Sequence, residues 1–83
     1  MTIANNQTPI TLSAQVKTAV NQYLASLDGH QTTNLHALVL TEVEKPLLEA
    51  TLQYSGYNQT KTAQILGISR STLRKKLALY GLS

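Results

Sequence analysis

Apolar residues recur at intervals of three and four along most of the chain, which is the spacing of one face of an α-helix. The first such series is Leu12, Val16, Ala19, Val20, Tyr23 and Leu27. It predicts a helix over residues 12–28 that ends at Gly29, because glycine takes a left-handed conformation at little steric cost. Residues 1–11 lack this period and contain Pro9, so we expect them to form a flexible arm.

The second helical segment, residues 35–55, is apolar on most sides. Eleven of residues 35–54 are apolar, and the polar stripe is narrow, consisting of Glu42, Lys45, Glu49 and Gln53. A helix on the surface of a small monomer needs a broader polar face, so we expect this helix to cross its symmetry mate in a homodimer. Residues 12–56 would then serve dimerisation. The predicted dimer interface consists of Leu35, Leu38, Val39, Val43, Leu47 and Ala50.

Pro46 lies inside this second helix. Proline has no backbone N–H and its ring crowds the carbonyl of Glu42, which either kinks the helix or divides it in two. The apolar pattern continues in phase from Val43 to Leu47 and Ala50, and this continuity favours a kink.

Two shorter helical patterns follow in residues 57–83 and indicate a helix-turn-helix. The first ends at Gly67, and the second covers about residues 70–80 with Leu73 and Leu77 on its apolar face. Two short helices joined by a turn of three or four residues that contains glycine place the second helix in the major groove of DNA. The tyrosines on the apolar faces of the predicted helices, which we expect in the core, are Tyr23, Tyr54 and Tyr80.

The charges of the chain are separated along its length. Residues 1–55 carry a net charge of −2, whereas the rest of the chain has no acidic residue and a net charge of +5, which together give the total of +3. A basic C-terminal region on a mildly acidic body indicates a polyanionic partner such as double-stranded DNA.

Other chemistries find little support in the sequence. There is no cysteine, so disulfides, thiol nucleophiles and zinc fingers are excluded. His30 and His36 do not have metal-ligand spacing, and no residues suggest a substrate pocket, so we predict no metal, no cofactor and no enzymatic activity. The chain has neither an apolar run of about 18 residues nor a secretory leader, which predicts a cytoplasmic protein without a membrane partner.

The basic side chains of the last helix are the strongest candidates for DNA contacts. Arg70 and Arg74 each carry a guanidinium group that can bind guanine O6 and N7 together or clamp a phosphate. Lys75 and Lys76 are expected to contact phosphate rather than bases. A solvated basic face is the alternative interpretation of these residues.

Short polar residues at the starts of the two C-terminal helices are further candidates. The N–H groups that begin a helix favour an anion, so residues 58–60 are expected beside a phosphate, with Lys61 adding charge. Ser69 and Thr72 can contact phosphate or a base edge, and helix capping alone is the alternative for Asn58 and Ser69. The predicted DNA contacts are Asn58, Gln59, Thr60, Lys61, Ser69, Arg70, Thr72, Arg74, Lys75 and Lys76.

Three runs of the sequence resemble the Fis family, the bacterial factor for inversion stimulation. They are LVLTEVEKPLL at 38–48, YNQTKTAQILGISRSTLRKKL at 57–77 and YGL at 80–82. The resemblance extends over about residues 12–83. It implies an all-α fold, with a four-helix subunit that ends in a helix-turn-helix and assembles as an intertwined homodimer. It also implies a nucleoid-associated transcriptional regulator that bends DNA, with RNA polymerase or a recombinase as further partners.

The chain departs from the family pattern at three places. Ser69 stands where the family typically has asparagine, and Ala78 and Leu79 occupy positions that are often lysine, which predicts a weaker hold on flanking DNA. The N-terminal region is shorter than in enterobacterial members, whose hairpin arm activates DNA invertases. The same helix-turn-helix also ends activators of the NtrC type, so an operator-specific regulator is one alternative. A helical module that binds a different protein is another.

Overall fold

The computed structural model describes residues 11–82, and over this range the protein is all-α, as predicted. The helices in this range are α1 (Leu12–Ser26), α2 (Leu35–Tyr54), α3 (Gln59–Leu66) and α4 (Arg70–Leu79). The predicted arm lies outside the described residues except for Thr11, whose hydroxyl oxygen accepts a hydrogen bond from the Ala14 N–H and caps α1. The chain divides into two units, with the boundary between Leu35 and His36.

Helix α1 ends at Ser26, two residues before the predicted limit. The reason is that Asp28 already has a φ angle of +50°, and Gly29 follows with +86°, so the right-handed helix cannot include either residue. None of the residues of α1 is buried. The prediction that Tyr23 belongs to the core is wrong for the single chain, because its side chain is exposed.

Helix α2 runs through Pro46 without dividing. It is the longest helix, yet neither it nor any other helix within residues 11–82 has the length and apolar content needed to cross a bilayer. Only Leu48 and Leu52, one turn apart, are buried. These two side chains mark the face of α2 that the C-terminal helices cover.

The core of the second unit joins α2 to α3 and α4. Its buried apolar residues are Leu48, Leu52, Ala63, Leu73 and Leu77, and Leu66, Ile68, Tyr80 and Leu82 pack around them. Tyr80 is therefore at the edge of the core. Tyr54 was predicted to be a core residue, but its side chain is 74% exposed, because it lies about 120° around α2 from Leu48.

The turn between α3 and α4 has the expected helix-turn-helix form. Gly67 has a φ angle of +75° and ends α3. The Ile68 N–H donates to the Ala63 carbonyl at 3.1 Å, which closes the helix end in the manner of a Schellman motif. Ile68 then packs against the core, and Ser69 starts the next helix. The three residues 67–69 thus fix the direction of α4 relative to α3.

Candidate nucleic-acid interface

The start of α3 is organised by Asn58. Its side-chain oxygen accepts a hydrogen bond from the Lys61 N–H at 3.0 Å, which is the geometry of an N-cap. Its backbone carbonyl accepts from both the N–H and the hydroxyl of Thr62, a fully buried residue. The cap uses the carbonyl end of the Asn58 side chain, and the NH₂ group of the same amide is a separate donor.

The start of α4 is organised by Ser69 in the same way. Its hydroxyl oxygen accepts from the Thr72 N–H at 3.1 Å and is also hydrogen-bonded to the hydroxyl groups of Ser71 and Thr72. Arg70 is consequently the first residue of α4. The capping role of Ser69 follows from its short hydroxyl side chain.

An open groove of about 690 Å³ lies along α4. Gln59 from the first turn of α3 lines one part of it. The residues of α4 that line the groove are Arg70, Ser71, Arg74, Lys75 and Ala78. These positions recur at intervals of three and four, so they share one side of the helix. Among residues 11–82, three cationic side chains and no carboxylate line this groove, which makes it attractive to a polyanion.

Most of the predicted site residues are accessible. The exposed ones are Asn58, Thr60, Lys61, Ser69, Arg70, Arg74 and Lys75, and the half-buried ones are Gln59, Thr72 and Lys76. The structure brings Gln59 together with Arg70, Arg74 and Lys75 along the groove. The predicted contacts that do not line it are Asn58, Thr60, Lys61, Ser69, Thr72 and Lys76.

The sequence prediction missed two residues of the groove, Ser71 and Ala78. Each lies four residues from a predicted contact, Ser71 before Lys75 and Ala78 after Arg74. The helical period could therefore have included them. Neither was named as a predicted DNA contact, although Ala78 occupies a position where the family often has lysine.

The prediction also missed Glu44 on α2, which binds the side chains of Lys76 in α4 and of Tyr80, the C-cap residue of α4. One carboxylate oxygen pairs with the Lys76 ammonium at 2.8 Å, and the other accepts a hydrogen bond from the Tyr80 hydroxyl at 2.6 Å. The bond from Lys76, followed by that from Tyr80, lowers the pKa of the Glu44 carboxyl below its usual value. The same carboxylate raises the pKa of Tyr80. No sequence signal pairs these residues, which lie up to 36 positions apart.

Known protein families match both ends of this sequence. Residues 39–80 match the family described as bacterial regulatory protein, Fis family. The chain belongs to the Fis family. Residues 1–32 match a second Fis description, the N-terminal domain of DNA-binding protein Fis. The two matches lie on either side of residue 35 and together cover most of the sequence.

Individual Fis proteins are similar to this chain over nearly its whole length. The DNA-binding protein Fis of Actinobacillus succinogenes is 46% identical over 86 residues, which cover 100% of this chain and 87% of that protein. The Haemophilus influenzae protein of the same name is 47% identical and covers 99% of this chain. That of Vibrio cholerae is 46% identical, with 88% of its length covered. The family resemblance seen in the sequence runs is thereby confirmed.

Proposed function

We propose that this chain is a DNA-binding transcriptional regulator that inserts α4 into the major groove. The observation that supports this most directly is the groove lined by Gln59, Arg70, Arg74 and Lys75. It presents only positive charge, on the second helix of a helix-turn-helix. The Fis relatives carry names that describe DNA binding, in agreement with this chemistry.

The roles of the contacts divide between bases and phosphates. Arg70 and Arg74, one turn apart on α4, are the candidates for base edges, because a guanidinium matches the two acceptors of guanine. Lys75 contacts phosphate as a point charge. The N–H groups at the start of α3, with the NH₂ of Asn58, bind a second phosphate. Gln59, Thr60, Lys61, Ser69 and Thr72 complete the proposed contact surface.

The proposed active form is a homodimer built around α2. Leu48 and Leu52 face the helix-turn-helix, but large apolar side chains on other sides of α2 stay exposed, namely Leu40, Val43, Leu47 and Tyr54. Val43 and Ala50 lie roughly 140–160° around the helix from Leu48, so the C-terminal helices do not cover them. A second copy of the chain would bury this face, as the family resemblance implies. Few buried residues hold a single chain together, which also favours dimerisation.

The proposal includes bending of the DNA. The recognition helices of a dimer, here the α4 helix of each subunit, fit straight B-DNA when they lie about 34 Å apart. The compact dimer that the family resemblance implies would hold them closer, so both would enter the major groove only when the duplex bends between them. Sequences with flexible pyrimidine–purine steps then bind best, because their deformation costs less. This activity suits a nucleoid-associated protein, with RNA polymerase or a recombinase as protein partners.

A gel-shift titration tests DNA binding and bending together. With about four or five phosphates bound per subunit, the logarithm of the binding constant should fall against the logarithm of salt concentration with a slope of roughly −7 to −9. Circularly permuted fragments should migrate according to the position of the site, which reports bending. A slope shallower than about −3 would contradict the proposed contact surface, and equal migration of all fragments would remove bending from the proposal.

The homodimer is tested by Leu47→Glu, at an apolar position of α2 that is 50% exposed in the single chain. Burying an unpaired carboxylate costs several kcal/mol. The dissociation constant of the dimer should therefore rise by at least about 100-fold, at about 1.4 kcal/mol per tenfold change. Sedimentation equilibrium measures it. Gln53→Glu adds the same charge to the polar stripe and should leave the dimer intact. If both variants dimerise as tightly as the parent, α2 does not form the interface.

A further inference from the structure

A contact between α2 and α4 assigns Lys76 a partner other than DNA. Glu44 uses both carboxylate oxygens, one on the Lys76 ammonium and one on the Tyr80 hydroxyl. Tyr80, the C-cap residue of α4, follows Lys76 by four residues, so the two side chains lie on the same side of the helix. The carboxylate therefore joins α2 to the C-terminal end of α4 at two points.

The contact with Glu44 gives Lys76 different surroundings from its neighbour Lys75. Lys75 lines the groove of α4 with Arg70 and Arg74, whereas Lys76 is not among the lining residues. Adjacent residues of a helix point about 100° apart, so the two ammonium groups face different surroundings. The charge of Lys75 is open to a polyanion. That of Lys76 is neutralised by Glu44 at 2.8 Å.

We propose that Glu44 is a positioning residue, which keeps Lys76 from the DNA and sets the orientation of α4 on α2. The inference rests on the proposed function, since it concerns how the recognition helix meets DNA. According to this inference, Lys75 binds DNA and Lys76 helps to position α4. The number of charges that reach phosphate is then limited by a carboxylate outside the interface.

The ion pair serves orientation more than stability. The side chains of Lys76 and Glu44 are 33% and 31% exposed, and an ion pair that water reaches in this way contributes little to folding. A glutamate carboxyl is already ionised at neutral pH, and the lowered pKa of Glu44 extends its ionised range to lower pH, so the pair persists where the protein would bind DNA. Two contacts from one carboxylate restrict the rotation of α4 more than a single pair would.

The salt dependence of DNA binding distinguishes the two lysines. Each lost phosphate contact flattens the log–log slope by about 0.9. In a dimer, Lys75→Ala should make the slope shallower by roughly 2, whereas Lys76→Ala should change it by less than about 0.5. Glu44→Gln frees Lys76 in each of the two subunits. The slope should become steeper by about 1–2, and the variant should bind non-specific DNA more tightly. Tyr80→Phe keeps the ion pair and should leave the slope unchanged.

Two results of the salt titrations would overturn the inference. The first is a Lys76→Ala slope that flattens as much as that of Lys75→Ala, because Lys76 would then bind phosphate. The second is an unchanged slope in Glu44→Gln, because Glu44 would then not be what holds Lys76 away.

A measurement without DNA separates this inference from the proposed function. NMR titration of the Glu44 carboxyl should give a pKa below its usual value in the parent, and Lys76→Ala should move that pKa upward. A parent protein that fails to bind DNA refutes the proposed function but leaves this titration informative. A Glu44 carboxyl that titrates at its ordinary pKa in the parent refutes the inference itself.

Discussion

Leu73→Ala should lower the free energy of unfolding of the helix-turn-helix by about 2–5 kcal/mol. Leu73 is 0% exposed and lies in the cluster that joins α4 to α2 and α3. Removing its side chain loses buried apolar area and leaves a cavity, and both terms destabilise the folded state. A domain is typically stable by roughly 5–15 kcal/mol, so this is a large share. Urea unfolding followed by circular dichroism measures the change.

Leu79→Ala is the matched control for this variant. It makes the same chemical change on the same helix, but Leu79 is 74% exposed. Surface substitutions of this kind usually change stability by less than about 0.5 kcal/mol. We therefore expect the Leu79 variant to unfold like the parent. Equal destabilisation by the two substitutions would mean that the packing of α4 differs from the one described above.

Arg70→Ala should cost at least about 1–3 kcal/mol of binding free energy at the best DNA sites and should relax sequence preference. Arg70 is the first residue of α4, is exposed, and lines the groove with Arg74 and Lys75. A guanidinium there can bind both acceptors of one guanine, and alanine leaves those acceptors without a partner. The loss corresponds to about 5- to 150-fold in the dissociation constant, measured by fluorescence anisotropy on a preferred site and on random DNA.

Arg70→Lys separates the charge of Arg70 from its geometry. Lysine keeps one positive charge but cannot form the two parallel hydrogen bonds of a guanidinium. This variant should therefore retain affinity for random DNA while losing preference for the best site. Parent-like discrimination in both the alanine and the lysine variants would show that Arg70 reads no base, and the specificity would then have to come from other residues or from DNA shape.

Much of the local structure followed from the sequence because its causes are local. Gly67 ends α3, and Ser69 caps α4, through hydrogen bonds that span only a few residues. The helical period also placed Leu73 and Leu77 on one face, and both are buried. The error at the end of α1 has a local cause as well. The residue before Gly29, Asp28, had already left the right-handed region, which residue identity did not reveal.

The candidate site was predicted only in part. The spacing of Arg70, Arg74 and Lys75 indicated a common face, and the structure places all three along one groove. Gln59 joins them because the turn at residues 67–69 brings the start of α3 beside α4. Ser71 and Ala78 were not among the predicted contacts, although the helical period places them on the same side of α4.

The sequence by itself determined the positions of the helices, the residues that end and cap them, and the concentration of positive charge at the C-terminal end. These depend on backbone preferences and side-chain chemistry within a few residues. Only the tertiary structure decided that Leu48 and Leu52 face α4 while Leu47 stays open, and that Lys76 pairs with Glu44. Periodicity shows which residues share a face, but the partner of that face is fixed by how helices distant in sequence pack together.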